Sequence, residues 1–159
     1  MTIEWRLAGW ATPEQAREIA RKAMAFLARY LTSSDLLYEL ELALTEACAN
    51  VVVHAYAEDL IGSLELRMRL EPFSRVEFEI ANWGEPYWGL MDSVPDACHP
   101  DDESGRGLYI MANLVDSYSF TREGEKNILW MVKNIEDTLW KKRLSSSEME
   151  SARSPIAEN

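Results

Sequence analysis

A chain of 159 residues with 47% hydrophobic content is long enough to bury a proper core, and it reads as one globular domain with a tail. A formal net charge of -11 excludes non-specific nucleic-acid binding, which needs a basic footprint, and fits a protein partner with a basic surface or simple solubility. No apolar run approaches ~18 residues, so no membrane span is expected. The N-terminal residues lack a signal-peptide pattern. Cys48 and Cys98 form neither a disulfide framework nor a zinc spacing, which points to a reducing, cytoplasmic setting.

In chain order, residues 2–8 can form a short strand. Thr12 then reads as a helix N-cap, with Pro13 at the first helical position and Gln15 closing a capping box. Ala16, Ile19, Ala20, Ala23, Leu27, Tyr30 and Leu31 follow at helical spacing. Thr32, Ser33 and Ser34 interrupt this helix and cap a second one, expected from about Asp35 to Tyr56.

That second helix carries the most informative stretch of the chain. Glu46, Asn50 and His54 recur every four residues, which places a carboxylate, a carboxamide and an imidazole along one stripe. Leu40, Leu42, Leu44, Ala47, Cys48, Val51 and Val52 make the rest of the helix apolar, so it is expected to be largely buried. Polar groups in a buried helix need partners, so the stripe is either a polar seam between packed elements or a ligand site. In a site, Glu46 suits activation of a hydroxyl or water, and the Asn50 oxygen suits a divalent cation. His54 is expected to be a packed, hydrogen-bonded helix residue, and Cys48 a small buried one.

Leu64, Leu66, Met68 and Leu70 alternate with Glu65, Arg67 and Arg69, and Val76, Phe78 and Ile80 alternate with Glu77 and Glu79. The period of two predicts an antiparallel hairpin with one core face and one solvent face. From Trp83 to Ser104 the pattern dissolves into a long loop with Pro86, Pro95, Pro100 and the acids Asp101, Asp102 and Glu103. The acidic run reads as a solvated loop or a metal site, His99 as an exposed loop residue, and Trp83, Tyr87 and Trp88 as a pocket cover or a plain apolar patch. Gly105 to Val115 reads as a glycine-rich start to a short helix. Tyr118 and Phe120 belong to a third strand, Gly124 to a turn, and Asn127 to Asn134 to a fourth strand. The composition shifts after about Glu136, so residues 136–159 are expected to be a short helix or disordered. The element order predicts an α+β two-layer sandwich, helices on one face of a mixed, mainly antiparallel sheet.

Three segments stand in order: Glu46 with Asn50; Asn82-Trp83-Gly84-Glu85-Pro86; and Gly105-Arg106-Gly107-Leu108 at a helix start. Glycines at a helix N-terminus let backbone N–H groups approach a phosphate. Together these segments resemble the GHKL-type (Bergerat) ATPase fold and, within it, the serine-kinase anti-sigma factor family. Leu40 to Asn50, continuing through Val53-His54-Ala55-Tyr56, resembles that family's N-box. Residues 82–86 take the place of its Asp-x-Gly-x-Pro segment, and Ser104 to Met111 resembles its second glycine box. The resemblance covers roughly residues 1–135.

The resemblance implies a protein serine/threonine kinase that uses ATP and Mg²⁺ to phosphorylate an anti-anti-sigma antagonist in a partner-switching circuit. Asn50 would bind Mg²⁺, and Glu46 would be the general base. Asn82, Gly84 and Pro86 would line the base end of the nucleotide site, and Gly105, Arg106, Gly107 and Leu108 the phosphate end. Loop 85–104 would act as a lid, and Arg106 would pair with a phosphate or with the neighbouring acids. A sigma factor would be the alternative partner, the kinase would be a homodimer, and neither nucleic acid nor membrane would be contacted directly.

The chain departs from the family at Asn82, where the family has an Asp that accepts the adenine amine. A hydrogen bond to a charged group contributes about 1.5–3 kcal/mol against about 1 for a neutral one, a difference of very roughly ten- to thirtyfold in affinity. The alternative reading is therefore a non-catalytic anti-sigma or partner-binding module with weakened ATP binding. The catalytic domain of a histidine kinase shares the fold and is the third reading, less favoured because the chain begins close to the first family element.

Overall fold

The computed structural model describes residues 1–86 and 103–142, with side chains in the second stretch from Arg106 onward. Five strands form one sheet in the order β1-β2-β3-β5-β4: β1 Ile3–Trp10, β2 Ser63–Glu71, β3 Arg75–Asn82, β4 Ser117–Glu123 and β5 Lys126–Asn134. The four pairings are antiparallel. Helices α1 Pro13–Leu27, α2 Ser34–His54 and α3 Glu103–Leu114 supply the second layer.

The alternation read in the hairpin decides which face meets the helices. Leu64, Leu66, Met68 and Leu70 of β2 and Val76, Phe78 and Ile80 of β3 are buried. They join Leu27, Leu40, Leu44, Cys48, Leu108 and Met111 from the helices in one core. The opposite face carries Arg67, which reaches Glu4 at 3.1 Å and Glu79 at 3.8 Å, and Arg6, which reaches Glu65 at 3.3 Å. These exposed pairs contribute little stability but keep the face polar. The two layers give the α+β sandwich expected from the element order.

Helix starts follow local chemistry. Thr12 Oγ1 accepts from Gln15 N at 3.3 Å, and Pro13 opens α1. Gln15 returns the contact two residues before the N-cap position of a standard capping box: its Oε1 accepts from Trp10 N at 2.5 Å, tying α1 to the end of β1. Ser33 Oγ accepts from Leu36 N at 3.1 Å and caps α2.

The chain stays packed past residue 135. A 3-10 turn at Asp137–Leu139 brings Trp140 into the core, its indole N–H donating to Ile135 O at 3.3 Å. Lys141 N donates to Tyr30 O at 2.8 Å, and Thr32 N to Leu139 O at 2.9 Å. Residues 143–159, the rest of the expected tail, lie outside the described residues.

Cys48 lies fully inside this core, and burial pushes its thiol up from the ordinary 9.0 to about 12. The folded state therefore keeps the thiol proton where the unfolded chain has lost it, so this group removes stability as pH rises from about 9 towards about 12. In a Cys98→Ser background, Cys48 is expected to resist an aromatic disulfide reagent at pH 8 until urea unfolds the protein. Rapid labelling of the native protein would contradict its burial.

Candidate functional site

The site forms where the second half of α2, the end of β3, the start of β5 and the start of α3 meet. Glu46 is half-buried, Asn50 is 9% exposed and His54 is exposed. The expectation of a packed, hydrogen-bonded His54 is thus overturned. Each four-residue step turns a helix about 40° beyond a full revolution, so eight residues swing the side chain about 80° out of the seam. The Asn50 carboxamide makes no hydrogen bond to another described residue. A buried amide with unused donors and acceptor is what a ligand site provides and a finished structural seam does not.

Beyond α2 the chain is stapled to the end of β3. Glu85 N donates to Ala55 O at 2.7 Å, capping the helix end. A Cβ on Gly84 would overlap that same carbonyl oxygen, so the backbones approach as closely as only glycine allows. Tyr56 holds the junction from the other side: its hydroxyl donates to Ser63 O at 2.6 Å and accepts from Trp83 N at 3.0 Å. The Trp83 ring is exposed, with Lys126 Nζ 5.8 Å from its centroid.

Asn82 and Asn127 face each other across β3 and β5, both buried. Asn82 Oδ1 accepts from Gly84 N at 3.0 Å and from Asn127 Nδ2 at 2.9 Å. Asn127 Nδ2 also lies 3.1 Å from Gly84 O and 3.2 Å from Glu85 O. Asn127 Oδ1 accepts from Arg122 Nη1 at 2.7 Å, and Arg122 Nε donates to Gly124 O at 2.9 Å. Arg122 thereby ties the β4–β5 turn to segment 82–86, in which Pro86 is half-buried.

Across the gap from α2, helix α3 begins at Glu103, so Gly105 and Gly107 lie within its first turns rather than before it. The reason is packing: Leu108 and Met111 are in the core and draw the helix over the glycines. Gly105 stays in the turn whose backbone N–H groups have no intrahelical acceptor. A Cβ on Gly107 would stand 2.5 Å from Glu46 Oε2, so the glycine leaves room for the carboxylate. Arg106 is exposed and Leu108 buried.

The structure therefore sets Gly107 against Glu46, and Gly84 against the end of the helix that carries Glu46 and Asn50, with Asn82 bonded to Gly84; Pro86 follows that junction, Gly105 lies in the first turn of α3, Leu108 is buried and Arg106 exposed. Tyr87, Trp88, Cys98, His99, Asp101 and Asp102, with most of the expected lid, lie outside the described residues. Among the described residues no three His, Cys, Asp or Glu side chains converge. The carboxamide oxygen of Asn50 suits a hard cation such as Mg²⁺, which takes few protein ligands and completes its shell with water and phosphate, and leaves the Glu46 carboxylate to accept a proton.

Asn127 and Arg122 escape a motif-based reading of the site, whereas Ala55 and Tyr56 lie in the motif at the end of α2 and acquire their roles only from the contacts with Gly84, Glu85, Ser63 and Trp83. For Asn127 a signal exists: it continues the inward series of Leu129 and Met131, as Asn82 continues Val76, Phe78 and Ile80. A polar residue at an inward strand position requires a partner. Asn127→Ala removes the donor to Asn82, Gly84 and Glu85 together, and is expected to lower unfolding stability by about 1–3 kcal/mol in urea. A loss below about 0.5 kcal/mol would mean the network is not holding segment 82–86.

Comparison with known proteins agrees with this geometry. The chain matches the histidine kinase-like ATPase domain over residues 9–133. It is 31% identical over 115 residues to the serine-protein kinase RsbW of Bacillus licheniformis, covering 67% of this chain and 70% of that protein. It is 32% identical over 114 residues to the serine-protein kinase RsbW of Bacillus subtilis (strain 168), with the same shares covered. A sandwich with its N-box on α2 and a glycine box opening α3, matched over this length, belongs to the GHKL-type histidine kinase-like ATPase domain family, as a homologue of the RsbW-like serine-protein kinases of the anti-sigma family.

Proposed function

We propose that this protein is an anti-sigma-type protein serine/threonine kinase, taking its phosphoryl group from a Mg²⁺-bound nucleoside triphosphate, ATP in the family pattern. The observation that carries this reading is the placement of the Glu46 carboxylate against Gly107, with the unpartnered, buried Asn50 carboxamide one turn further along α2. Neither group is needed where it stands for packing alone.

In the proposed reaction a serine hydroxyl of the partner attacks the γ-phosphorus. The new O–P bond forms as the bond to the β,γ-bridging oxygen breaks, and the nucleoside diphosphate leaves with that electron pair. Glu46 accepts the hydroxyl proton. Asn50 holds the cation through its Oδ1, and the backbone of Gly105 and Gly107 approaches the phosphates. Bound Mg²⁺ offsets phosphate charge. The remaining contribution of the protein is positioning, as in other phosphoryl transfers. Segment 82–86 supports the base, held by Asn127 and Arg122.

The substrate in this reading is an anti-anti-sigma antagonist, with a sigma factor as the alternative partner, and the kinase works in the cytoplasm as a homodimer. The acidic charge suits a partner with a basic surface. Among the described residues no helix is long and apolar enough to cross a membrane. The second reading, a partner-binding module that no longer uses ATP, draws on the carboxamide at position 82 and predicts partner binding indifferent to nucleotide.

The two readings separate in a transfer assay with γ-labelled Mg-ATP and a panel of anti-anti-sigma proteins. The kinase reading expects label on a partner serine and a loss of about 10²–10⁴-fold in rate for Glu46→Gln, with nucleotide binding kept. Transfer unchanged in Glu46→Gln would remove Glu46 from the role of base. Absence of transfer to every antagonist, with partner binding intact, would favour the module.

A further inference from the structure

The solvent side of α2 is uncharged where a helix lying on a core ordinarily turns charged side chains outward. The helix packs against both α1 and α3 and buries Leu40, Leu44 and Val51. Successive residues turn by about 100°, so Tyr38, Leu42, Thr45, Ala49 and Val53 share the opposite side in one stripe about 22 Å long. Tyr38 is 69% and Val53 68% exposed, and the three between them are half-buried. Single exposed apolar residues are ordinary on any surface. Here the uncharged residues stand in register on one helix of a chain with net charge -11, which makes them a continuous surface of the kind that marks an interaction site.

Two observations say what covers it. The first is position. Leu42 and Ala49 stand one turn to either side of Glu46 along α2 and about 40–60° around it, so the stripe borders the carboxylate. A hydroxyl that gives its proton to Glu46 arrives beside this stripe, and a hydroxyl on a protein brings a protein surface with it. The second is charge. Asp35, Glu39 and Glu41 flank the Tyr38 end and are exposed. Among the described residues none of these three acids has an ion-pair partner. An apolar centre with an acidic rim fits a partner whose own apolar patch is rimmed by lysine or arginine. A second copy of this chain fits it poorly, because an isologous contact presents the same acid-rimmed stripe and closes the approach to Glu46.

We propose that the outward stripe of α2, between positions 38 and 53, is the docking surface for the protein that carries the phosphoacceptor serine, received through an apolar patch with a basic rim. This rests on the reading of the chain as a protein kinase with Glu46 as base. Tyr38 anchors the partner, since buried tyrosines carry much of the binding energy of protein contacts. The rim acids steer its approach.

The test uses the full chain, γ-labelled Mg-ATP and the panel of anti-anti-sigma proteins as probes. The native protein is compared with Tyr38→Ala, Val53→Lys and the pair Glu39→Gln with Glu41→Gln in partner binding, label transfer, urea unfolding and sedimentation. Tyr38→Ala and Val53→Lys are each expected to raise KM for the partner about tenfold. Their kcat and Mg-ATP affinity stay unchanged, because only docking is lost. The acid pair is expected to slow partner association and flatten its salt dependence. Unchanged KM and partner affinity in both stripe variants, with transfer proceeding, overturns the proposal and leaves the kinase reading standing. A native dimer that the stripe variants dissociate assigns the stripe to a second copy and also overturns it. So does a clear loss of unfolding stability with partner binding kept, which assigns the stripe to a segment of this chain. Association indifferent to the acid pair overturns the basic-rimmed partner. If the native protein binds an antagonist without transferring label, loss of that binding in the stripe variants upholds the surface while the kinase reading falls. No binding of any antagonist by the native protein overturns both.

Discussion

The close approach of Gly84 to the last turn of α2 sets the geometry of everything around the cleft. Ala55 O accepts from Glu85 N, and the space a side chain would fill at Gly84 is taken by that same carbonyl. This contact fixes the distance between the helix that carries Glu46 and Asn50 and the strand that ends in Asn82. Tyr56 reinforces it by bonding the starts of both neighbouring segments at Ser63 and Trp83. The network of Asn82, Asn127 and Arg122 then holds the same loop from the sheet side. A loop held from two sides by directed bonds loses little further freedom on binding a ligand, which is the physical content of a preorganised site.

The two ends of the cleft are built from different chemistry. At the phosphate end the groups are a carboxylate, an unpartnered carboxamide and helix-terminal backbone, all suited to a charged ligand and its cation. At the end of β3 the Asn82 Oδ1 accepts from Gly84 N and Asn127 Nδ2, so this oxygen holds the loop.

Much of this architecture is legible in the sequence because its signals are local. Thr12 and Ser33 cap their helices through bonds spanning three residues, and the alternation from Leu64 to Ile80 needs only the period of a strand. Other features depend on contacts distant in sequence. The composition after Glu136 resembles a loose tail, yet Trp140 is buried and Lys141 bonds back to Tyr30 and Ala28. The glycines at 105 and 107 mark the start of α3 in the sequence, and with Leu108 and Met111 buried the helix begins two residues earlier, at Glu103. His54 fits a four-residue stripe but not the pitch of a real helix. In the site, Glu46 and Asn50 are readable as a spaced pair on an apolar helix. Arg122 is not, and Asn127 shows only as a polar residue at an inward strand position, since their partners emerge from the pairing of β3 and of β4 with β5.

The central claim is that the α2 face holds a magnesium-bound triphosphate through Asn50. The most direct measurement is nucleotide affinity with and without Mg²⁺, in the native protein and in Asn50→Ala, using EDTA for the metal-free arm. The account predicts that magnesium strengthens binding in the native protein and has little effect in Asn50→Ala. Equal magnesium dependence in both proteins, or none in the native one, would contradict it.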